Sequence, residues 1–472
     1  MSELRLTADE IAARTPEGRN RYADALRLVS IVIVVYGHWL LAVVSVRDGQ
    51  LEAANLLTVE PWTHWLTWIF QVMPLFFFVG GYANAAAFRS ARRKGVTWAD
   101  WVRGRARRLL RPVVPLVVLW IPVAGALAYL GVSRELLQFA TQVVIVPVWF
   151  LAAYLIICAF VPISYVLHER LGVVALGLFV GLAVLVDLLH LAGVPAVGWS
   201  NFLWIWGAVH QAGYLWHDSD RAAAGGSGIR SWLPRTVPSA IAMAVAGYGL
   251  LLVLTQLLGY PISMVGVDGA TRSNNSPPSI ALVALAVGQV GLALALRKPA
   301  ERLLERPRVW GTVVVTGSFT MTLYLWHMTA MVAVAAALIP TGVWPTRETV
   351  DATWWWQRPL WWLACTAAVA VLVPLFGRYE HAGAPRSRPS KIRAAIGVTL
   401  ATAGMGLLVF GGLHRPGTAT GVPWIELGML VVGLGALGVL RKPQRPDELP
   451  APGGAAEPAE VAPPESEDAA AP

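Results

Sequence analysis

The sequence predicts an all-α, polytopic integral membrane protein, and three observations carry that prediction. Hydrophobic residues make up 56% of the chain and charged residues only 14%. The mean hydropathy is +0.56. The apolar residues fall into long uninterrupted runs rather than short amphipathic ones, as membrane-spanning helices require.

Twelve such runs can be delimited. The first covers 28–46, followed by 65–88, 109–130, 144–166, 171–191, 201–217, 237–258, 280–296, 311–339, 359–377, 394–413 and 422–440. The sixth is short and carries His210 and Gln211, so it also reads as a tilted or re-entrant segment. The formal excess of basic residues, +9, orients the spans. Arg89, Arg92, Arg93, Lys94, Arg103, Arg105, Arg107, Arg108 and Arg111 crowd from the end of the second into the start of the third. Further basic loops, Arg297 to Arg308 and Arg378 to Arg393, each lie an even number of spans away. Short cytoplasmic loops collect such charge, so twelve spans with both termini cytoplasmic satisfy every loop. Because the charge sits between hydrophobic runs, topology explains it without a nucleic-acid partner.

Residues 1–20 are polar and lack an apolar core with a small-residue cleavage site, so the first span is expected to be the anchor and not a cleavable signal. A membrane core over 21–380 follows. Two further helices within 381–442 are rich in Gly, Val and Leu and nearly free of ionisable groups, and Gly433 and Gly435 permit close helix packing there. Residues 443–472, rich in Pro, Ala, Glu and Asp, read as a disordered cytoplasmic tail. Cys158 and Cys365 both lie in apolar runs, which leaves neither a disulfide framework nor a Cys-rich metal site. No internal repeat is visible.

Candidate chemistry starts in the first span. His38 lies eleven positions after Arg27, about three helical turns and roughly 16 Å, so the two share a face. Arg27 is expected at the membrane boundary and His38 near mid-depth, where an ionisable group is costly enough to suggest function. Alone, His38 reads equally as a packed residue, and Arg27 as a topological charge. Together with Asp24, three residues before Arg27, they form a charged mouth leading to a base, since a neutral imidazole can take a proton from a hydroxyl.

Several ordered blocks extend this pattern: Asp24-Ala-Leu-Arg27 through Tyr36-Gly-His38, Pro74 to Tyr82, Arg107-Arg108-Leu-Leu-Arg111-Pro112, Val148-Trp149-Phe150-Leu151, and Ser318 to His327. In spacing and order they resemble the acyltransferase 3 family of polytopic membrane acyltransferases, whose opening motif is an arginine, ten residues and a histidine. The resemblance covers roughly residues 20 to 380 and ten spans. One position departs from it. Gly80 stands where the family carries a serine, so no serine role is transferred.

The resemblance implies transfer of an acyl group, commonly acetyl, from cytoplasmic acyl-CoA to a hydroxyl of a sugar, glycolipid or cell-envelope glycan. It implies His38 as general base, with Asp24, Arg27 and His327 as further catalytic candidates. His327 either orients the acyl group or acceptor or anchors helix packing. Arg27, Arg108 and Arg111 are the candidates for the CoA phosphates, which guanidinium geometry suits. Trp149, Phe77 and Tyr324, with Phe76 beside them, are the candidate substrate walls.

Acyl-CoA is thus expected as a donor substrate, with no permanently bound cofactor. No metal is expected either, because two histidines alone, His210 and His217, make a poor metal site. Asp187 and His190, three apart, read as a polar pair facing the acceptor side. Gly225-Gly226 lacks the context of a phosphate loop. Acceptor choice is expected of the outer loops 259–279 and 340–357, where Trp354, Trp355 and Trp356 read as a sugar platform or an interfacial belt. The Ala, Gly, Pro and Arg bias fits a GC-rich bacterial genome, and the cell membrane is the expected location. A twelve-helix secondary transporter of a small solute or lipid-linked intermediate is the alternative reading, but its usual related halves and paired broken helices are not visible.

Overall fold

A capping box starts the first helix. The Thr7 side chain and the Glu10 backbone, and the reverse pair, exchange hydrogen bonds that start α1 (Ala8–Ala13). The computed structural model describes residues 7–16, 18–47, 50–226, 232–346, 349–380, 390–418 and 420–440. The expected tail, 443–472, and Arg386 and Arg388 of the third basic loop lie outside the described residues.

Asn20 caps the next helix by accepting from the Ala23 amide, and α2 runs Arg21–Leu41. The first span was expected to continue to Val46. Instead Val43, Val44 and Val46, which are β-branched and favour extended backbone, carry the chain into β1 (Ala42–Arg47), paired antiparallel with β2 (Gln50–Asn55). His38 therefore stands in the last turn of α2, not midway along a longer helix. Short α3 (Leu56–Val59), a 3-10 turn (Pro61–Leu66) and α4 (Thr67–Phe70) lead to α5 (Met73–Arg93).

The basic segment then forms amphipathic α6 (Trp98–Leu110), bent by 43° against α7 (Val113–Tyr129) at Pro112. Next come α8 (Arg134–Ile145), α9 (Val148–Leu171), α10 (Val173–Leu191), α11 (Pro195–Gly198) and α12 (Asn201–Ala223). The core is completed by α13 (Val237–Gln256), α14 (Ala281–Leu304), α15 (Pro307–Gly317), α16 (Thr320–Leu338) and α17 (Ala352–Phe376). The two helices beyond it are α18 (Lys391–Gly411) and α19 (Trp424–Ala436).

The chain is an all-α multi-pass membrane protein. Among the described residues nine segments are long and apolar enough to cross a membrane, or ten if α6 and α7 count as one bent span. The other two of the twelve expected runs fall short for different reasons. α12 is long, but it carries His210, Gln211, His217, Asp218 and Asp220. α19 has 13 residues and rises only about 20 Å.

Small residues set the closest helix crossings. A β-carbon on Gly81 would fall on the His210 carbonyl and on Gly213, and one on Gly213 would fall on the Phe78 carbonyl, so α5 and α12 touch backbone to backbone. Gly433 likewise meets Ala401 across α18 and α19, whereas Gly435 has open space around it. Gly81→Val should destabilise the fold by about 3 kcal/mol or more, because backbone cannot yield as a side-chain tip can. Thermal unfolding of the detergent-solubilised protein, followed by size exclusion, measures this.

Candidate active site

His38 and His327 meet where α2 crosses α16. His38 Nδ1 lies 2.8 Å from His327 Nε2, and the rings are parallel to within 6° with centroids 5.1 Å apart. His327 Nδ1 is in turn 2.6 Å from the Tyr324 carbonyl oxygen. A carbonyl only accepts, so His327 Nδ1 carries a proton and, in the neutral ring, Nε2 is the acceptor. His38 Nδ1 must then donate. The hydrogen-bond network thereby assigns the tautomer of both rings and leaves the lone pair of His38 on Nε2. Trp39 Nε1 donates to the His327 carbonyl at 2.9 Å, which holds the two helices in this register.

The far end of α2 is fixed from another side. Arg358 on α17 donates from Nη1 to the Ala42 carbonyl at 3.2 Å, just past the His38 turn. Its guanidinium lies 3.9 Å from the centroid of Trp354 and 5.6 Å from that of Trp361. Trp354 is thus a buried packing residue, Trp355 is half-buried and Trp356 is 81% exposed. Consecutive helical side chains diverge by about 100°, so the three tryptophans do not make one platform.

The arginines gather at the other end of α2. Asp24 Oδ2 accepts from Arg19 Nε at 2.7 Å, and Asp24 Oδ1 lies 3.2 Å from Arg27 Nη2. Asp24 therefore orients Arg27 rather than reaching the histidines. Arg27 and Arg105 both act electrostatically on Arg108, and also on the Tyr154 phenol. Arg111 belongs to a different set, with Arg103 and Arg107, of which Arg103 and Arg107 are buried. Arg105 thus joins the expected Arg27 and Arg108, while Arg111, three residues on from Arg108, acts on Arg107.

Between the two ends lies a ladder of rings. Tyr154 meets Phe150 at 5.6 Å, Phe150 meets Phe76 at 4.7 Å and Tyr324 at 5.6 Å, and Tyr324 meets His327 at 6.0 Å. The foot of the ladder explains Gly80. A β-carbon there would sit 2.8 Å from the Tyr154 hydroxyl, so this tyrosine occupies the space a serine side chain needs. Asn84 Nδ2 reaches the same hydroxyl at 3.3 Å and His210 Nε2 at 3.0 Å. Gly80→Ser should cost about 1–3 kcal/mol of stability by overpacking. In a Tyr154→Leu background the same change should cost less than a third as much, a coupling that a double-mutant cycle in thermal unfolding reads.

The other expected site residues divide. Trp149, Tyr324 and His38 line one cavity of about 770 Å³. Phe77 does not line it and stacks on Trp206 in the core. The Tyr324 hydroxyl donates to the Pro147 carbonyl at 2.8 Å, which leaves its ring as wall and its own carbonyl as support for His327. The expected Asp187–His190 pair does not form. Asp187 Oδ2 accepts from Tyr260 and the Ile280 amide instead, and His190 Nδ1 turns to the Pro195 carbonyl. Among the described residues no group of three or more His, Cys, Asp and Glu could hold a metal ion.

Sequence reasoning missed Asn84, Tyr154 and Arg358. An asparagine and an arginine inside apolar helices were the available signals. Tyr154 gave none, as one aromatic among many.

A family model described as an acyltransferase domain matches residues 20–379. The match ends before α18 and α19. No curated protein and no solved structure matches the chain.

Proposed function

Because the chain belongs to the acyltransferase 3 family and is a multi-pass membrane acyltransferase, we propose that it moves an acyl group, acetyl in the simplest case, from cytoplasmic acyl-CoA to a hydroxyl of a glycan or glycolipid of the cell envelope. The observation that carries this reading is the unshared lone pair on His38 Nε2 beside the cavity, prepared by His327 and the Tyr324 carbonyl.

The acceptor hydroxyl gives its proton to His38 Nε2 as its oxygen attacks the thioester carbonyl carbon. The carbon–sulfur bond breaks, and the departing thiolate recovers the proton from the same nitrogen. While His38 is an imidazolium, its Nδ1–H still points at the acceptor nitrogen of His327, so the charge develops against a fixed partner. Arg27 and Arg108, with Arg105 beside them, offer the CoA phosphates charge-assisted hydrogen bonds. Asp24 keeps Arg27 aimed.

The test is transfer of radiolabel from acetyl-CoA to a panel of envelope glycans and glycolipids by the purified protein in liposomes. Labelled acceptor is expected. Arg27→Ala and Arg108→Ala should each raise the acyl-CoA KM about tenfold, near 1.4 kcal/mol, with acceptor KM unchanged. Unaltered donor affinity would remove both arginines from the site.

A further inference from the structure

Resting on that acyltransferase reading, we propose that the cavity beside His38 holds the hydrophobic body of the acceptor. The acceptor is then an amphiphile, a hydroxyl-bearing head on a lipid-sized apolar group, and not a free sugar.

Size is the first reason. A cavity of about 770 Å³ encloses a drug-sized molecule, and a single hexose would leave most of it empty. Polarity is the second. Its walls include Leu40, Leu57, Val143, Met328, Met331 and Ala335, while most polar groups that line it are already engaged by the backbone. Thr63 and Thr67 donate to the Glu60 and His64 carbonyls, and Gln71 Nε2 donates to the Met264 carbonyl while its Oε1 accepts from Met73. Asn55 Oδ1 caps the Leu57 amide, and Gln142 Nε2 donates to the Phe410 carbonyl. A sugar buried here would leave hydroxyls unpaired, at a cost of about 1–3 kcal/mol each. An apolar body with one hydroxyl at His38 would not.

Access is the third reason, and it separates the acceptor from the donor's acyl chain. On α2 the cavity lining begins only at Val34, and it reaches the exposed Gly266, Asp268 and Phe139. The entrance thus lies at the end of the molecule away from Arg27. A compound entering there need not cross the arginines that hold CoA.

The experiment uses the full chain in nanodiscs with radiolabelled acetyl-CoA, offered either dodecyl glucoside below its micellar concentration or glucose. Dodecyl glucoside should be labelled at least tenfold faster at equal concentration. Ala140→Phe and Ala335→Phe, on two different walls, should each raise its KM fivefold or more while the thermal midpoint stays at the parent value. Equal labelling of the two acceptors overturns the proposal. So does a raised KM for octanoyl-CoA without one for dodecyl glucoside, which would give the cavity to the acyl chain. Binding of tritiated dodecyl glucoside without donor keeps the two readings apart. Saturable binding weakened by both variants supports the cavity assignment, and absence of saturable binding overturns it even where transfer occurs. Binding without any His38-dependent acyl transfer overturns the acyltransferase reading and the acceptor role with it.

Discussion

His38→Ala lowers kcat for acyl transfer by about 10³-fold, within the range that a positioned general base supplies, and leaves acyl-CoA binding unchanged. In free energy this is about 4 kcal/mol of lost transition-state stabilisation. The expectation follows from the proton positions. His38 Nδ1 is committed to His327, so Nε2 is the nitrogen able to accept, and alanine removes it. Single-turnover transfer and acyl-CoA titration calorimetry on the same preparation separate the two quantities. Labelled acceptor formed equally fast by the variant would show that another group takes the proton.

The second large effect is expected at His327, which touches no substrate atom in this scheme and acts through His38. His327→Ala removes the acceptor for His38 Nδ1–H and frees the His38 ring to rotate or to adopt the other tautomer. A fall in kcat of about 10²-fold is expected, with little change in donor KM, as for loss of an orienting partner whose contribution lies in the transition state. His327→Gln is the discriminating variant. Its side-chain oxygen can accept from His38 Nδ1, so it should recover at least a tenth of parental kcat, whereas a purely packing role would leave Gln no better than Ala. Failure of that rescue would demote His327 to helix packing.

Arg27 and His38 were legible in sequence because they lie on one helix, where eleven residues fix a shared face by local geometry. The pairing of His38 with His327 was not. Both could be singled out as ionisable groups in apolar runs, but 289 positions separate them and only the crossing of α2 with α16 brings them together. The departure at Gly80 was visible as a missing side chain. Its cause lay in Tyr154, on a helix far along the chain, whose hydroxyl fills the place. The twelve apolar runs were legible as hydrophobicity, yet their breaks were less so. The valines after Leu41 satisfy a membrane helix and a strand equally in composition, and the pairing of β1 with β2 decides between them. Asp187 and His190 failed as a pair for a related reason. Spacing puts two side chains within reach, but each found a partner outside α10, Tyr260 in a loop and the Pro195 carbonyl at the start of α11.

The ring ladder from Tyr154 to His327 bears on something other than catalysis. An enzyme that admits a charged donor at one face and an acceptor at the other risks becoming a pore, above all with a proton-accepting nitrogen at the bottom of one vestibule. Phe150 is 1% exposed and Tyr324 2% exposed, and their rings pack edge to face with centroids 5.6 Å apart. Such a contact between buried rings is a patch of low dielectric inside the protein, beside the histidine pair. The membrane potential, worth about 2.3 kcal/mol per charge per 100 mV, drives ions only along water, so rings that exclude water from the ground they cover oppose a leak there.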